Sequence, residues 1–384
     1  MKLIETTEEL HAFTRGAKSA DFLTVDTEFM REKTYFSQLC LVQAATPDEA
    51  VIIDPLSEHL ELDPFLELLG DKGAVKVFHA ARQDLEIFAR LMNGLPAPLF
   101  DTQIAAMVFG YGDQVGYENL VRDLTGARID KGSRFTDWAR RPLSKKQLEY
   151  ALGDVTHLRD VYKKLVDKLD KTGRRAWIDE EMAALSDLDL YTVKPDDAWR
   201  RLKLRNPKQR ELGPIVSLAA WREREAQRKD VPRSRVLKDE ALFEIARSQP
   251  ETTAALGQLR SIPQGFERSA TAKDLLRAVA EGRTLSEERL PAIASRPRES
   301  APPDVVQLLR VLLKRQCEAH GVAPKLLASA ADLDAIALDD QADVPALSGW
   351  RREVFGDLAI RLKRGEIALG LSGRRVSVHE LSGN

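Results

Sequence analysis

Three short apolar runs crowd into the first 55 residues: FLTVDTEF from Phe22, LCLVQAAT from Leu39 and EAVIIDP from Glu49. Runs this short, this apolar and this closely spaced predict consecutive strands. A fourth, VKVFHA from Val75, precedes the helical RQDLEIFARLM, where Leu85, Phe88 and Met92 share one face. LFDTQIAAMVFG, from Leu99, reads as a strand end running into a helix, and TTEEL at Thr6–Leu10 carries a capping-box pattern. Strands interleaved with helices predict an α/β sheet covered by helices.

From Ser144 the pattern changes. Leu148, Leu152, Val155, Leu158, Leu165 and Leu169 keep a helical period through SKKQLEYALGDVTHLRDVYKKLVDKLD. LYTVKPDDAWRRLKLRNP, with Pro195 and Pro207, has little periodicity and reads as a linker. Beyond it a weak repeat joins VPRSRVLKDEALFEIA, from Val231, to VAPKLLASAADLDAIA, from Val322. In each copy a short extended lead-in opens a helix. A glycine followed by a bulky residue comes next (QGFERS, SGWRRE), then a helix ending in glycine (DLLRAVAEG, DLAIRLKRG). A period of roughly 85–90 residues exceeds that of a solenoid unit and fits two copies of a small helical domain.

With 384 residues the chain is too long for one compact core. MKLIETTEEL turns acidic before any apolar core forms, so no signal peptide is expected, and no apolar run reaches the ~20 residues of a membrane span. Cys40 and Cys317 are far apart and have no metal-ligand spacing, which points to a reduced, cytoplasmic protein without structural disulfides or zinc. The net charge of −2 gives no sign of nucleic-acid binding, although Arg201–Lys238 holds twelve Lys or Arg against four Asp or Glu. That stretch reads equally as a solvated face or a phosphate-binding surface.

Two carboxylates stand inside the first long strand. Asp26 and Glu28 are two residues apart, so both project from one face. Asp84 follows the fourth strand near the start of a helix, and Tyr150 and Asp154 are one turn apart on the long helix. Each feature alone has a plain structural explanation: a salt-bridged edge pair, a dipole partner, a packed tyrosine. Together the four acids supply the hard oxygen ligands that two divalent cations need. Two such ions ~3.5–4 Å apart can hold the attacking and leaving oxygens of an in-line phosphoryl displacement.

The order Asp-x-Glu, Asp, Tyr-x-x-x-Asp resembles the DEDD exonucleases in their tyrosine-bearing branch. The branch with a histidine five residues before the last acid does not fit, because Glu149 stands there. DTEFMREKTYFSQLCLVQ, FDTQIAA, GYENLVRDLTG and TDWARRPLSKKQLEYALGDV extend the resemblance to the ribonuclease D family over roughly the first 170 residues. His157 departs from it, at a place where the family often carries an aromatic residue. The C-terminal repeats are similar to HRDC domains, chiefly through LKDEALFEIA.

The resemblance implies an α/β ribonuclease H-like exonuclease domain, a mixed sheet flanked by helices, followed by two small all-α HRDC domains. Expected boundaries are 1–185 for the exonuclease domain, 186–206 for a linker, 207–290 and 298–376 for the helical domains, and 377–384 for a tail. It implies Asp26, Glu28, Asp84 and Asp154 as ligands of two Mg²⁺ or Mn²⁺ ions, with Tyr150 positioning the attacking water. The implied activity is 3′→5′ exoribonuclease, releasing nucleoside 5′-monophosphates and trimming tRNA precursors and other structured RNAs. Two other readings stay open: a DNA 3′→5′ exonuclease with the same metal site, and a catalytically silent RNA-binding protein. A monomer is expected, since no heptads or large apolar stripe point elsewhere.

Overall fold

The computed structural model describes residues 2–129, 132, 136–204, 207–290 and 300–381. Two positions of the expected linker (205 and 206), the expected start of the second helical domain at 298, and the last three tail residues lie outside the described residues. Six strands form one mixed sheet: β1 (Lys2–Ile4), β2 (Phe22–Met30), β3 (Gln38–Ala45), β4 (Ala50–Ile53), β5 (Val75–Phe78) and β6 (Leu99–Asp101), in the order β1-β4-β3-β2-β5-β6. The β2-β3-β4 meander is antiparallel, and β1, β5 and β6 add in parallel at its flanks. The three-residue β1 is too short to show a period in the sequence; it pairs Leu3 with Ile52 at the sheet edge.

Helices cover both faces. α1 (Thr7–Ala17) starts at Thr6, whose hydroxyl accepts the Glu9 N–H while the Glu9 carboxylate accepts the Glu5 N–H. α2 (Asp63–Gly70), α3 (Arg82–Met92), α4 (Thr102–Met107) and α5 (Tyr117–Thr125) follow. Leu23 and Val25 of β2 are fully buried in one core with Leu10, Phe13, Leu85 and Phe88. The Phe88 ring packs 6.2 Å from Phe78 and 6.4 Å from Phe65. Burying each such side chain contributes about 1.5–3 kcal/mol. On the other face lies α6 (Lys145–Thr172), opened by a Ser144–Gln147 capping box and closed by Gly173 at φ +67°. Thr24 fixes it there, its hydroxyl within hydrogen-bonding distance of the carbonyls of Val155 (2.9 Å) and Ala45 (3.1 Å). α7 (Arg175–Leu185) then packs against β6.

The first helical unit has a core of its own and contains α8 (Gln209–Lys229), α9 (Arg233–Val236), α10 (Asp239–Ser248), α11 (Thr253–Gly257) and α12 (Ala270–Arg283). Two backbones meet at its centre: a Cβ on Gly213 would lie 2.0 Å from the Gly282 carbonyl oxygen, so α8 and α12 cross only because both positions are glycine. The expected linker is not wholly a spacer. Pro195–Arg201 forms a 3₁₀ turn against α8 and delivers Ala198 into this second core, followed by Leu202.

The second helical unit repeats the plan with α13 (Pro303–His320), α14 (Pro324–Leu327), α15 (Ala330–Leu338), α16 (Gly349–Arg351) and α17 (Asp357–Lys363). It is not all-α, and residues 377–380 are not a tail. β7 (Ile367–Ser372) and β8 (Arg375–Glu380) pair as an antiparallel ribbon. Their two-residue turn begins with Gly373 at φ +60°, the glycine-first arrangement suited to a tight hairpin.

The two units meet the exonuclease domain differently. Leu309, Leu313 and Phe355 of the second unit belong to the same apolar core as Leu23. Trp350 stacks on Trp177 (4.3 Å, 9°), and Arg174 donates to the carbonyls of Val108 (2.8 Å) and His320 (2.6 Å). The first unit docks through polar groups on the β2–β3 loop. Asp230 accepts the N–H groups of Tyr35 (3.1 Å) and Phe36 (3.0 Å), and the Tyr35 hydroxyl donates to buried Glu223. Burial, reinforced by Glu223, pushes the Tyr35 hydroxyl up to about 12.

Candidate active site

Asp26 and Glu28 rise from the α6 side of β2, the side Thr24 also faces. The ladder to β3 slips just after Glu28, between it and Phe29, so the strand bends where its carboxylates end. Asp154, on α6, comes down onto them. One oxygen each from Asp26, Glu28 and Asp154 lies within 4.8 Å of the others. Tyr150, one turn earlier, lines the same cleft of about 450 Å³.

Asp84 also lines the cleft but stands outside that trio. It sits in the first turn of α3, on the opposite side of the sheet, and its Oδ1 accepts the hydroxyl of Thr27, the residue between Asp26 and Glu28. The alternation that sends the two acids to one face of β2 sends Thr27 to the other. The structure thus brings all five expected residues to one cleft, three acids in close convergence and the fourth held alongside.

Buried carboxylate scaffolding supports this placement. Asp101, 3% exposed, accepts the N–H groups of Ala80 (3.1 Å) and Ala81 (2.8 Å) and caps α4 through Gln103 (2.7 Å). It thereby fixes the turn into α3, where Ala80 takes φ +58°. Arg141 grips Asp54 through two 2.6 Å bonds and reaches the Cys40 carbonyl (2.8 Å), securing the TDWARRP segment to the sheet. Trp138 of that segment lies 6.2 Å from the Tyr150 ring.

Three cleft residues were not singled out by the sequence. His79 follows β5; its Nε2 donates to the Val115 carbonyl (3.2 Å) and its Nδ1 meets the Thr102 hydroxyl (3.0 Å). Burial lowers its pKa and favours the neutral ring. Gln103 also donates to Val115 (3.0 Å). The Tyr117 hydroxyl reaches the Asp154 carbonyl (2.7 Å) and so braces α6 at the acid. His79 lies inside VKVFHA, Gln103 inside FDTQIAA and Tyr117 inside GYENLVRDLTG, runs read for their elements or their family resemblance and not for these side chains.

The electrostatics are unfavourable without a counter-charge. Burial, then the charge of Asp154, holds Asp26 well above the ordinary carboxylate value, and burial, then Asp26, does the same for Asp84. An all-oxygen, all-acidic donor set suits hard divalent cations, so the residues present fit such ions.

The profile of a 3′-5′ exonuclease family matches residues 1–170, and that of the HRDC domain matches residues 215–279. A ribonuclease D from Granulibacter bethesdensis is 50% identical over 379 residues, 98% of this chain and 96% of the relative. A ribonuclease D from a Jannaschia species is 51% identical over 383 residues, 98% and 99% of the two chains. Among solved structures, Escherichia coli RNase D, an exoribonuclease involved in structured RNA processing, superposes with a TM-score of 0.79 at 30% identity, covering 95% of this chain and 98% of that one. Similar to these relatives from end to end, the chain belongs to the ribonuclease D family of exoribonucleases.

Proposed function

We propose that this chain shortens RNA from its 3′ end, releasing nucleoside 5′-monophosphates, with tRNA precursors and other structured RNAs as substrates. The observation that carries the reading is the convergence of Asp26, Glu28 and Asp154 in one cleft with Asp84 in its wall. Asp26, Glu28, Asp84 and Asp154 would hold two divalent cations, Mg²⁺ or Mn²⁺. When bound, such ions supply positive charge for an in-line displacement at phosphorus and offset the repulsion among the four acids. Tyr150 orients the attacking water through its hydroxyl. Tyr117 and Thr27 keep Asp154 and Asp84 at the cleft.

The substrate preference rests on the relatives. The acids do not read a 2′-hydroxyl, so a DNA exonuclease would use the same centre. The basic stretch gives partial support to RNA holding. Arg222, Arg224, Arg228, Lys229 and Arg233 are in ion pairs with Asp239, Asp196, Glu225 and Glu223, while Arg235 and Lys238 are exposed on the first helical unit itself. The division into an exonuclease domain and two HRDC-type units is part of this reading, with Pro195–Arg201 assigned to the first unit. No helix among the described residues is long and apolar enough to cross a membrane. A cytoplasmic monomer completes the proposal.

The test uses 5′-labelled single-stranded RNA, matched DNA, and RNA blocked by a 3′-phosphate, each in Mg²⁺, Mn²⁺ or EDTA, with Asp154→Asn in parallel. A metal-dependent ladder that shortens from the 3′ end, stronger on RNA and absent in the variant, is expected. Equal cleavage of DNA would overturn the substrate, and binding without cleavage in every condition would leave an RNA-binding protein.

A further inference from the structure

Gln43 lies in β3 directly across from Asp26 and is fully buried. Among the described residues, neither its Oε1 nor its Nε2 has a hydrogen-bond partner. An unpaired buried amide costs about 1–3 kcal/mol, and an apolar side chain of the same length would avoid that cost. The immediate surroundings do not account for a polar group: its partner on β4 is Ile52, and the α6 residues over this face include Ala151 and Val155, all fully buried.

What does lie opposite is a carboxylate. Directly paired residues on antiparallel strands share a face, with Cβ atoms about 4.5–5.5 Å apart, within the span of a glutamine. Two of the other acids already have supports. Asp84 takes the Thr27 hydroxyl, and the backbone at Asp154 takes the Tyr117 hydroxyl. Among the described residues no side chain donates to Asp26.

We propose that Gln43 is a positioning residue for the metal centre: when the acids hold their cations, its carboxamide N–H, unpaired in this structure, turns to donate to one oxygen of Asp26 and directs the other toward Glu28 and Asp154. Ligands fixed by such partners bind metal more tightly, and removing the partner typically weakens affinity 10–100-fold. The side chain touches neither substrate nor metal and acts through Asp26 alone. This proposal rests on the reading that the acids hold divalent cations.

The experiment titrates Mn²⁺ into the full chain, wild type and Gln43→Met, by calorimetry or electron paramagnetic resonance, and records thermal unfolding without metal. Methionine keeps the length and removes the unpaired amide. The expected result is an unfolding temperature equal to or above wild type and Mn²⁺ affinity about 10–100-fold weaker. In turnover assays, the half-saturating Mg²⁺ should rise in step, and excess Mg²⁺ should restore most of kcat. Wild-type Mn²⁺ affinity in Gln43→Met, with only the unfolding temperature moved, overturns the positioning role and leaves the metal reading intact. Absence of Mn²⁺ binding by the wild type overturns both. Should Gln43→Met not fold, Gln43→Asn, which withdraws the amide by one methylene, is judged by the same affinities.

Discussion

Asp26 and Asp84 are carboxyls whose folded-state affinity for protons exceeds the ordinary value, and this sets how the metal-free protein responds to pH. A folded state that binds more protons than the unfolded chain loses stability as pH rises. The contribution of these two carboxyls to the stability of the metal-free protein is therefore fully present below the ordinary carboxylate value of 3.8 and is lost as pH climbs through the raised values. Asp84→Asn removes one of the opposed charges while leaving an acceptor for Thr27. At neutral pH without metal it should unfold several degrees higher than wild type, since about 1 kcal/mol shifts the midpoint 2–4 °C in domains of 150–250 residues. With Mg²⁺ present the order should reverse, and calorimetry in both conditions checks it. Tyr150→Phe is a separate test at this scale. Loss of the hydroxyl should lower kcat about 100-fold, the cost of a misplaced reactant, with Mn²⁺ binding unchanged.

Among the elements, α8 and α12 depend on a backbone approach that no side chain tolerates. Gly213→Ala puts a methyl where the Gly282 carbonyl stands. Overpacking of this kind costs about 1–3 kcal/mol or more, so the first helical unit should unfold earlier in a thermal scan. Mn²⁺ binding at the distant acids should be unaffected. Legibility in the sequence followed the same division between local pattern and long-range contact. α3 and α6 announce themselves through apolar period and caps, and Asp26, Glu28, Asp84, Tyr150 and Asp154 are legible because their motifs are long. Gln43 is not, since its meaning lies in a cross-strand register and in burial that only the folded sheet creates. Pro195 hid the turn that carries Ala198, and β1 is three residues long. RVSVHE does alternate polar and apolar residues as a strand would, but the β7–β8 ribbon is only six residues a side and follows directly on a helical repeat that sets the opposite expectation.

For the whole molecule, RNA affinity should depend on salt through the charges that remain exposed. Arg235→Glu with Lys238→Glu should weaken RNA binding and flatten the plot of log affinity against log salt by about 1.4, two phosphate contacts at 0.7 each. An unchanged slope in filter binding would remove this surface from the RNA path. The docking of the two helical units has a further consequence. The second helical unit and its ribbon (303–380) share a core with the sheet, whereas the middle unit has its own core and meets the sheet through a polar latch at Tyr35, Glu223 and Asp230. Order along the chain is therefore not order of dependence. The middle unit behaves topologically as a guest inserted between a catalytic body and its own closing segment, so it is the part that could be exchanged for another module. The C-terminal segment is the part that cannot be cut away without opening the enzyme's interior to water.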